Sequence, residues 1–178
     1  MKLNPLPYLM AAAFLSFLTS LFGNPLKVGD KAPEVAAVTD SGEHLNLSEV
    51  YSKQPYTLVY FYPKAETSGC TAQGCSLRDA SSVLKEKGVA ILGVSLDTVD
   101  AQKAFKEHHQ FQFTLISDPK KTVVSAFGVP THSIPILGEI ASRQAFLIKN
   151  GVIIWADYKA STKKQAEDVL KVLSEQKS

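Results

Sequence analysis

Two uninterrupted apolar and β-branched runs, Tyr56-Thr-Leu-Val-Tyr-Phe-Tyr62 and Val89-Ala-Ile-Leu-Gly-Val-Ser95, set the strongest limit on what this chain can fold into. Such a run, lacking polar alternation, is the pattern of a central strand buried on both faces. Strands of that kind need a layer of helices above the sheet and another below it. Ala145-Phe-Leu-Ile148 is a third run, and Asn150-Gly151 turns the chain as a hairpin into Val152-Ile-Ile-Trp-Ala156. Helical patterns lie between them over Ser76 to Glu86, Thr98 to His108, Lys120 to Phe127 and Thr162 to Ser174. The last opens with Thr162 and Gln165 at capping-box spacing and carries Ala166, Val169, Leu170 and Leu173 on one face. Glu34 to Leu47 reads as an additional hairpin at the front. The expected fold is therefore an α/β sandwich with a mixed central sheet.

The first residues belong to a different pattern. Lys2 and the amino terminus supply positive charge, and Leu9 to Phe22 follow without one ionisable side chain. As a helix those fourteen residues reach about 21 Å, short of a hydrocarbon core of about 30 Å. Residues 1–23 are therefore expected to be a signal peptide or an N-terminal anchor, with cleavage after Ser20 or Gly23. Residues 24–178 are left as the folded domain. The expected location is exported: periplasmic, secreted or in an organelle lumen. Membrane contact is expected only through an uncleaved leading segment.

Composition narrows the function classes. A net charge of +2, with 19 Lys and Arg scattered along 178 residues, gives no basic face for nucleic acid. Gly-rich phosphate loops, Gly-x-Ser-x-Gly elbows and paired-carboxylate motifs are absent. His44, His108, His109 and His132 stand in no metal-ligand spacing with the cysteines, and His108-His109 reads as a solvated helix end. Tyr60, Phe61, Tyr62 and Trp155 read as core. Two cysteines exclude a disulfide-rich scaffold and a four-cysteine zinc site, leaving one bridge or one redox pair.

Those two, Cys70 and Cys75, follow the first buried strand within Pro63-Lys-Ala-Glu-Thr-Ser-Gly-Cys-Thr-Ala-Gln-Gly-Cys75. Ligands of open α/β sheets gather at such carboxyl ends of strands. A helix beginning near Cys70 would point unpaired backbone N–H groups and its positive dipole end at the sulfur, favouring the reactive thiolate. Thr67 is placed to set a hydroxyl beside that sulfur, and Gly69 permits close backbone approach. If both cysteines sit on one regular helix, their Cα atoms are roughly 8.7 Å apart. A disulfide needs less than about 7 Å. Bonding then requires the first helical turns to unwind, which Gly74 would ease by about 1 kcal/mol relative to alanine.

The sequence resembles the peroxiredoxins, and among them the bacterioferritin-comigratory or Q-type subgroup. Pro63, Thr67 and Cys70 match the family's Pro-x-x-x-Thr-x-x-Cys motif, and Cys75 the subgroup's second cysteine. Arg143, in Ser-Arg-Gln-Ala-Phe-Leu-Ile-Lys-Asn-Gly, matches the family's distant arginine. Val28-Gly-Asp-Lys-Ala-Pro33, the run to Arg78-Asp79 and Ser117-Asp-Pro119 are also similar. Ser68, Gln73 and Gly74 depart from the subgroup, which usually has proline, glutamate and alanine there.

The resemblance implies a thioredoxin-like three-layer α/β/α sandwich and a thiol-dependent peroxidase. It implies Cys70 as peroxidatic and Cys75 as resolving cysteine. Thr67 and the Cys70 backbone N–H would orient the peroxide, Arg143 would stabilise negative charge, and Pro63 would shield the sulfur. Hydrogen peroxide and organic hydroperoxides are the expected substrates, a thioredoxin-like protein the reductant, and a monomer the expected state. No metal or organic cofactor is implied. The competing readings are a thioredoxin-fold disulfide reductase, disfavoured by the missing Cys-x-x-Cys spacing, and a redox-switched binding or chaperone module.

Overall fold

The computed structural model describes residues 25–176. The expected signal peptide or anchor at residues 1–23 lies outside them. Among the described residues no helix is long and apolar enough to cross a membrane. In chain order the elements are β1 (Ala36–Thr39), β2 (His44–Asn46), α1 (Leu47–Lys53), β3 (Tyr56–Phe61), α2 (Ser68–Asp79), α3 (Ser81–Glu86), β4 (Val89–Ser95) and α4 (Val99–His109). There follow β5 (Thr114–Ser117), α5 (Thr122–Ala126), β6 (Thr131–Ile134), β7 (Gly138–Ala141), β8 (Gln144–Lys149), β9 (Val152–Asp157) and α6 (Gln165–Glu175).

Seven strands form one sheet in the order β2-β1-β5-β4-β3-β8-β9. The continuous apolar runs take its centre: β3 pairs β4 in parallel and β8 antiparallel, with Leu58 opposite both Ile91 and Leu147. β4 pairs β5 in parallel, whereas β1 meets β5 antiparallel, so the sheet is mixed as expected. The front hairpin is β1–β2, in register Ala37 to Leu45. At the other edge, Asn150 and Gly151 adopt φ of +51° and +74°, the left-handed pair that a two-residue hairpin turn requires.

Side-chain alternation along the strands separates two cores. Leu58, Tyr60, Tyr62, Leu115 and Leu147 pack with Cys70 and Leu77 of α2, Phe105 of α4, and Val169 and Leu173 of α6. Val59, Phe61, Leu92, Val94, Phe146 and Ile148 pack with Leu47 of α1, Val123 and Val124 of α5, and Phe127. This gives the expected three layers.

Several boundaries differ from expectation. The helix carrying the cysteines begins at Ser68, and the pattern read from Ser76 to Glu86 is divided at Ala80 between α2 and α3. The capping box at Thr162 does not form. α6 starts at Gln165 behind Lys164, with no side-chain cap, because the Gln165 amide is drawn to a partner on α2 instead. α1, β5 and the separate β6–β7 hairpin go beyond the elements read from sequence.

Candidate active site

The loop leaving β3 is held by polar contacts at each step. Tyr62 still donates its N–H to the Val94 carbonyl (3.0 Å), and Pro63, which has no N–H, ends the ladder. Asp97, buried just beyond β4, then accepts from the Ala65 N–H (2.8 Å) and the Lys64 ammonium (3.3 Å). Its own position is fixed by the Ser95 hydroxyl at 2.7 Å. Glu66 takes the left-handed region at φ +62° and turns the chain towards α2. Thr67 is the extended N-cap, and its hydroxyl donates to the Lys64 carbonyl at 2.9 Å, keeping its lone pairs free to accept.

Cys70 is therefore the third residue of α2, within the turn whose N–H groups have no partner inside the helix. Its side chain is 1% exposed. Arg143, on the link between β7 and β8, brings Nη2 to 3.4 Å from the Cys70 Sγ. A Cβ on Gly69 would lie 3.2 Å from that same nitrogen, so the missing side chain keeps the guanidinium's approach open. The other arm of the guanidinium, Nη1, donates to the Gln73 Oε1. Gln73 Nε2 donates in turn to Gln165 Oε1 at 2.7 Å, both glutamines being fully buried. A buried sulfur is thus in contact with a cation whose orientation is set by two glutamines.

Arg143 meets Cys70 in the first turn of α2, Thr67 is that helix's N-cap and Pro63 opens the loop before it. Cys75 lies further along α2, half-buried and packed against the core that contains Cys70. Both are free thiols on one continuous helix, the case in which bonding requires unwinding. Gly74 has a second reason for being glycine: a Cβ there would meet the Phe111 ring at 2.5 Å. Tyr60 and Tyr62 stack beneath the site with ring centroids 5.6 Å apart. Burial, reinforced by neighbouring negative charge, pushes both phenols well above their ordinary range and keeps them protonated.

Two residues that sequence reasoning missed are Gln73 and Gln165. Gln73 stands three positions after Cys70, hence on the same helix face, and that spacing was the available signal. His109 also differs from expectation. Its side chain is only 17% exposed and lies against Phe105 and Phe111, whereas His108 is the solvated residue at 71%.

Residues 28–156 match the AhpC/TSA family. Peroxiredoxin Bcp of Escherichia coli (strain K12) is 45% identical over 106 residues, covering 60% of this chain and 67% of that protein. The chloroplastic peroxiredoxin Q of Sedum lineare is 32% identical over 156 residues, covering 86% of this chain and 81% of that one. The solved structure of peroxidoxin BcpB from Mycobacterium tuberculosis superposes with a TM-score of 0.77 at 28% identity, over 84% of this chain and 97% of its own. The thioredoxin-like fold expected from the resemblance is the fold observed.

Proposed function

The chain belongs to the AhpC/TSA family and is a thiol-dependent peroxidase, and from that premise we propose that Cys70 is its peroxidatic cysteine and Cys75 its resolving cysteine. The observation that carries the assignment is the contact of Arg143 with the Cys70 sulfur at the first turn of α2. The Cys70 thiolate attacks the distal oxygen of a hydroperoxide. An S–O bond forms as the O–O bond breaks, and the leaving oxygen takes a proton and departs as alcohol or water. Cys70 is left as a sulfenic acid, oxidised by two electrons.

Arg143 Nη2 and the Cys70 N–H are the donors for the charge that develops on the peroxide oxygens. The Thr67 hydroxyl, whose proton is given to the Lys64 carbonyl, accepts from the O–H of the peroxide. Pro63 covers the sulfur from solvent. Cys75 then attacks the sulfenic sulfur, forming a disulfide and releasing water, and a thioredoxin-type dithiol returns two electrons and two protons by exchange. Hydrogen peroxide and organic hydroperoxides are the substrates in this reading, and the enzyme works as a monomer outside the cytosol. The export proposal rests on the apolar run from Leu9 to Phe22. Mass spectrometry of the mature amino terminus tests it, an intact Met1 ruling out cleavage.

Stopped-flow oxidation of the reduced protein by peroxide tests the cysteine roles, with intact mass read after one equivalent. Rapid oxidation and the loss of two hydrogens are expected. Sulfinic acid on Cys70 beside a free Cys75 thiol would refute the resolving role, and oxidation no faster than that of free cysteine would refute the peroxidatic one.

A further inference from the structure

Outside the thiol site, one side-chain cluster has a geometry that the peroxidase chemistry does not use. Glu66, in the loop before α2, presents Oε1 to His108 Nδ1 at 3.2 Å and Oε2 to His109 Nε2 at 3.0 Å. Among the described residues these are the three metal-ligating side chains whose donor atoms converge, all within 4.8 Å of one another. In a tetrahedral site with bonds of about 2.0–2.1 Å, neighbouring donors stand roughly 3.3 Å apart. The two nitrogens meet different oxygens of the carboxylate, at 3.2 and 3.0 Å, so a small turn of Glu66 sets one oxygen between both rings for a three-donor site.

The cluster is also held in place from behind. The His109 ring stacks on Phe111 with centroids 5.7 Å apart and meets Phe105 edge-on at 5.1 Å. His108 stacks on His109 at 4.5 Å, so two consecutive helical residues turn their nitrogens to one side. Glu66 reaches them only because its backbone sits at φ +62°, a conformation that non-glycine residues seldom adopt. That loop is independently pinned by Asp97. Glu66 is 46% exposed, leaving water access to the remaining coordination position.

We propose that Glu66, His108 and His109 form a binding site for a borderline divalent transition-metal ion of the zinc class, and that the ion clamps the peroxidatic loop to the end of α4. Two imidazoles and a carboxylate suit such an ion, which takes the place of the protons now shared between imidazole and carboxylate. The regulatory half of the proposal rests on the peroxidase reading above. Cys70 meets Cys75 only if the first turns of α2 unwind, and the loop bearing Glu66 leads directly into them. A bound ion ties that loop to α4 and slows the disulfide step, lengthening the life of the sulfenic acid.

The site is tested on the full chain carrying Cys70→Ser and Cys75→Ser, so that no thiol competes, by zinc titration against a chromophoric chelator. Saturable binding of one equivalent is expected. Adding Glu66→Gln, or His108→Ala at the exposed ring, should weaken it on the order of 100-fold. No saturable binding, or binding indifferent to both substitutions, overturns the site. The clamp is tested by following sulfenic acid and disulfide formation in the otherwise wild-type chain with and without zinc. Slowing that disappears in Glu66→Gln supports it, and equal slowing in both proteins shows zinc acting at the thiols and overturns it. If peroxide fails to oxidise Cys70 rapidly, the peroxidase reading falls, while the thiol-free titration still decides the site.

Discussion

The two faces of β3 are built from alternate residues of one strand, yet they meet their helices through different chemistry. Val59 and Phe61 face α1 and α5 through a layer of hydrocarbon, with Phe127 and Phe146 against Phe61. Tyr60 and Tyr62 face α2, α4 and α6, where Gln73, Gln102 and Gln165 are all fully buried. On that side a polar chain runs from Tyr62 to Gln102, on to Ser95, then to Asp97 and the Ala65 N–H in the loop before α2. Hydrocarbon burial is non-directional and mainly stabilises, whereas buried hydrogen bonds have a geometry and therefore fix positions. One face holds the sheet together, and the other aims a sulfur and its cation.

The comparison is broken most severely at Cys70. Cys70→Ser is expected to abolish peroxide consumption while the protein stays folded, as read by a coupled peroxidase assay and thermal unfolding. Phe127→Ala, on the hydrocarbon face, should cost about 3–5 kcal/mol of stability in denaturant titration and leave the rate per folded molecule unchanged. An equal loss of rate there would erase the division of labour. Arg143→Lys keeps the charge but loses the fork that joins sulfur to Gln73, and should slow Cys70 oxidation by about 10²–10³-fold in stopped flow with little change in melting. Gly74→Ala drives a methyl into the Phe111 ring and should destabilise by about 1–3 kcal/mol in denaturant titration, despite alanine's better helix propensity.

The smallest effect concerns pH. Slight burial tends to raise the Glu66 carboxyl, but hydrogen bonds from His109 and His108 outweigh it and hold the group below its ordinary value of 4.5. The stability it contributes is therefore complete above that ordinary value and is lost as pH falls through the lowered one. Glu66→Gln should flatten the acid limb of a melting-temperature profile in that window.

The apolar face was far easier to read in the sequence than the polar one. β3, β4 and β8 announce themselves because strands buried on both sides carry unbroken apolar runs. β5 escaped because Thr114-Leu-Ile-Ser117 is four residues long and half polar, and gains its place only by pairing with β4 and β1. Cys70 and Thr67 could be singled out from one short stretch at the end of a buried strand, Pro63 and Arg143 only through family resemblance, and the structure sets Arg143 against the Cys70 sulfur. Gln73 and Gln165 stayed hidden. They meet across 92 residues of chain, and a glutamine becomes informative only once its partner is in view. The same contact explains the capping box that fails to form, since a local rule lost Gln165 to a tertiary one.

Gln73 stands between the two cysteines in the chain, and under the proposed roles of Cys70 and Cys75 this would give the catalytic cycle an interlock. Unwinding α2 to join Cys70 with Cys75 must carry Gln73 away from both Arg143 and Gln165. In that cycle the act that discharges the sulfenic acid would also dismantle the contacts of Arg143 that oriented it. An oxidised molecule would then be blind to a second peroxide until a reductant reset the helix, so each enzyme would count its substrate one molecule at a time.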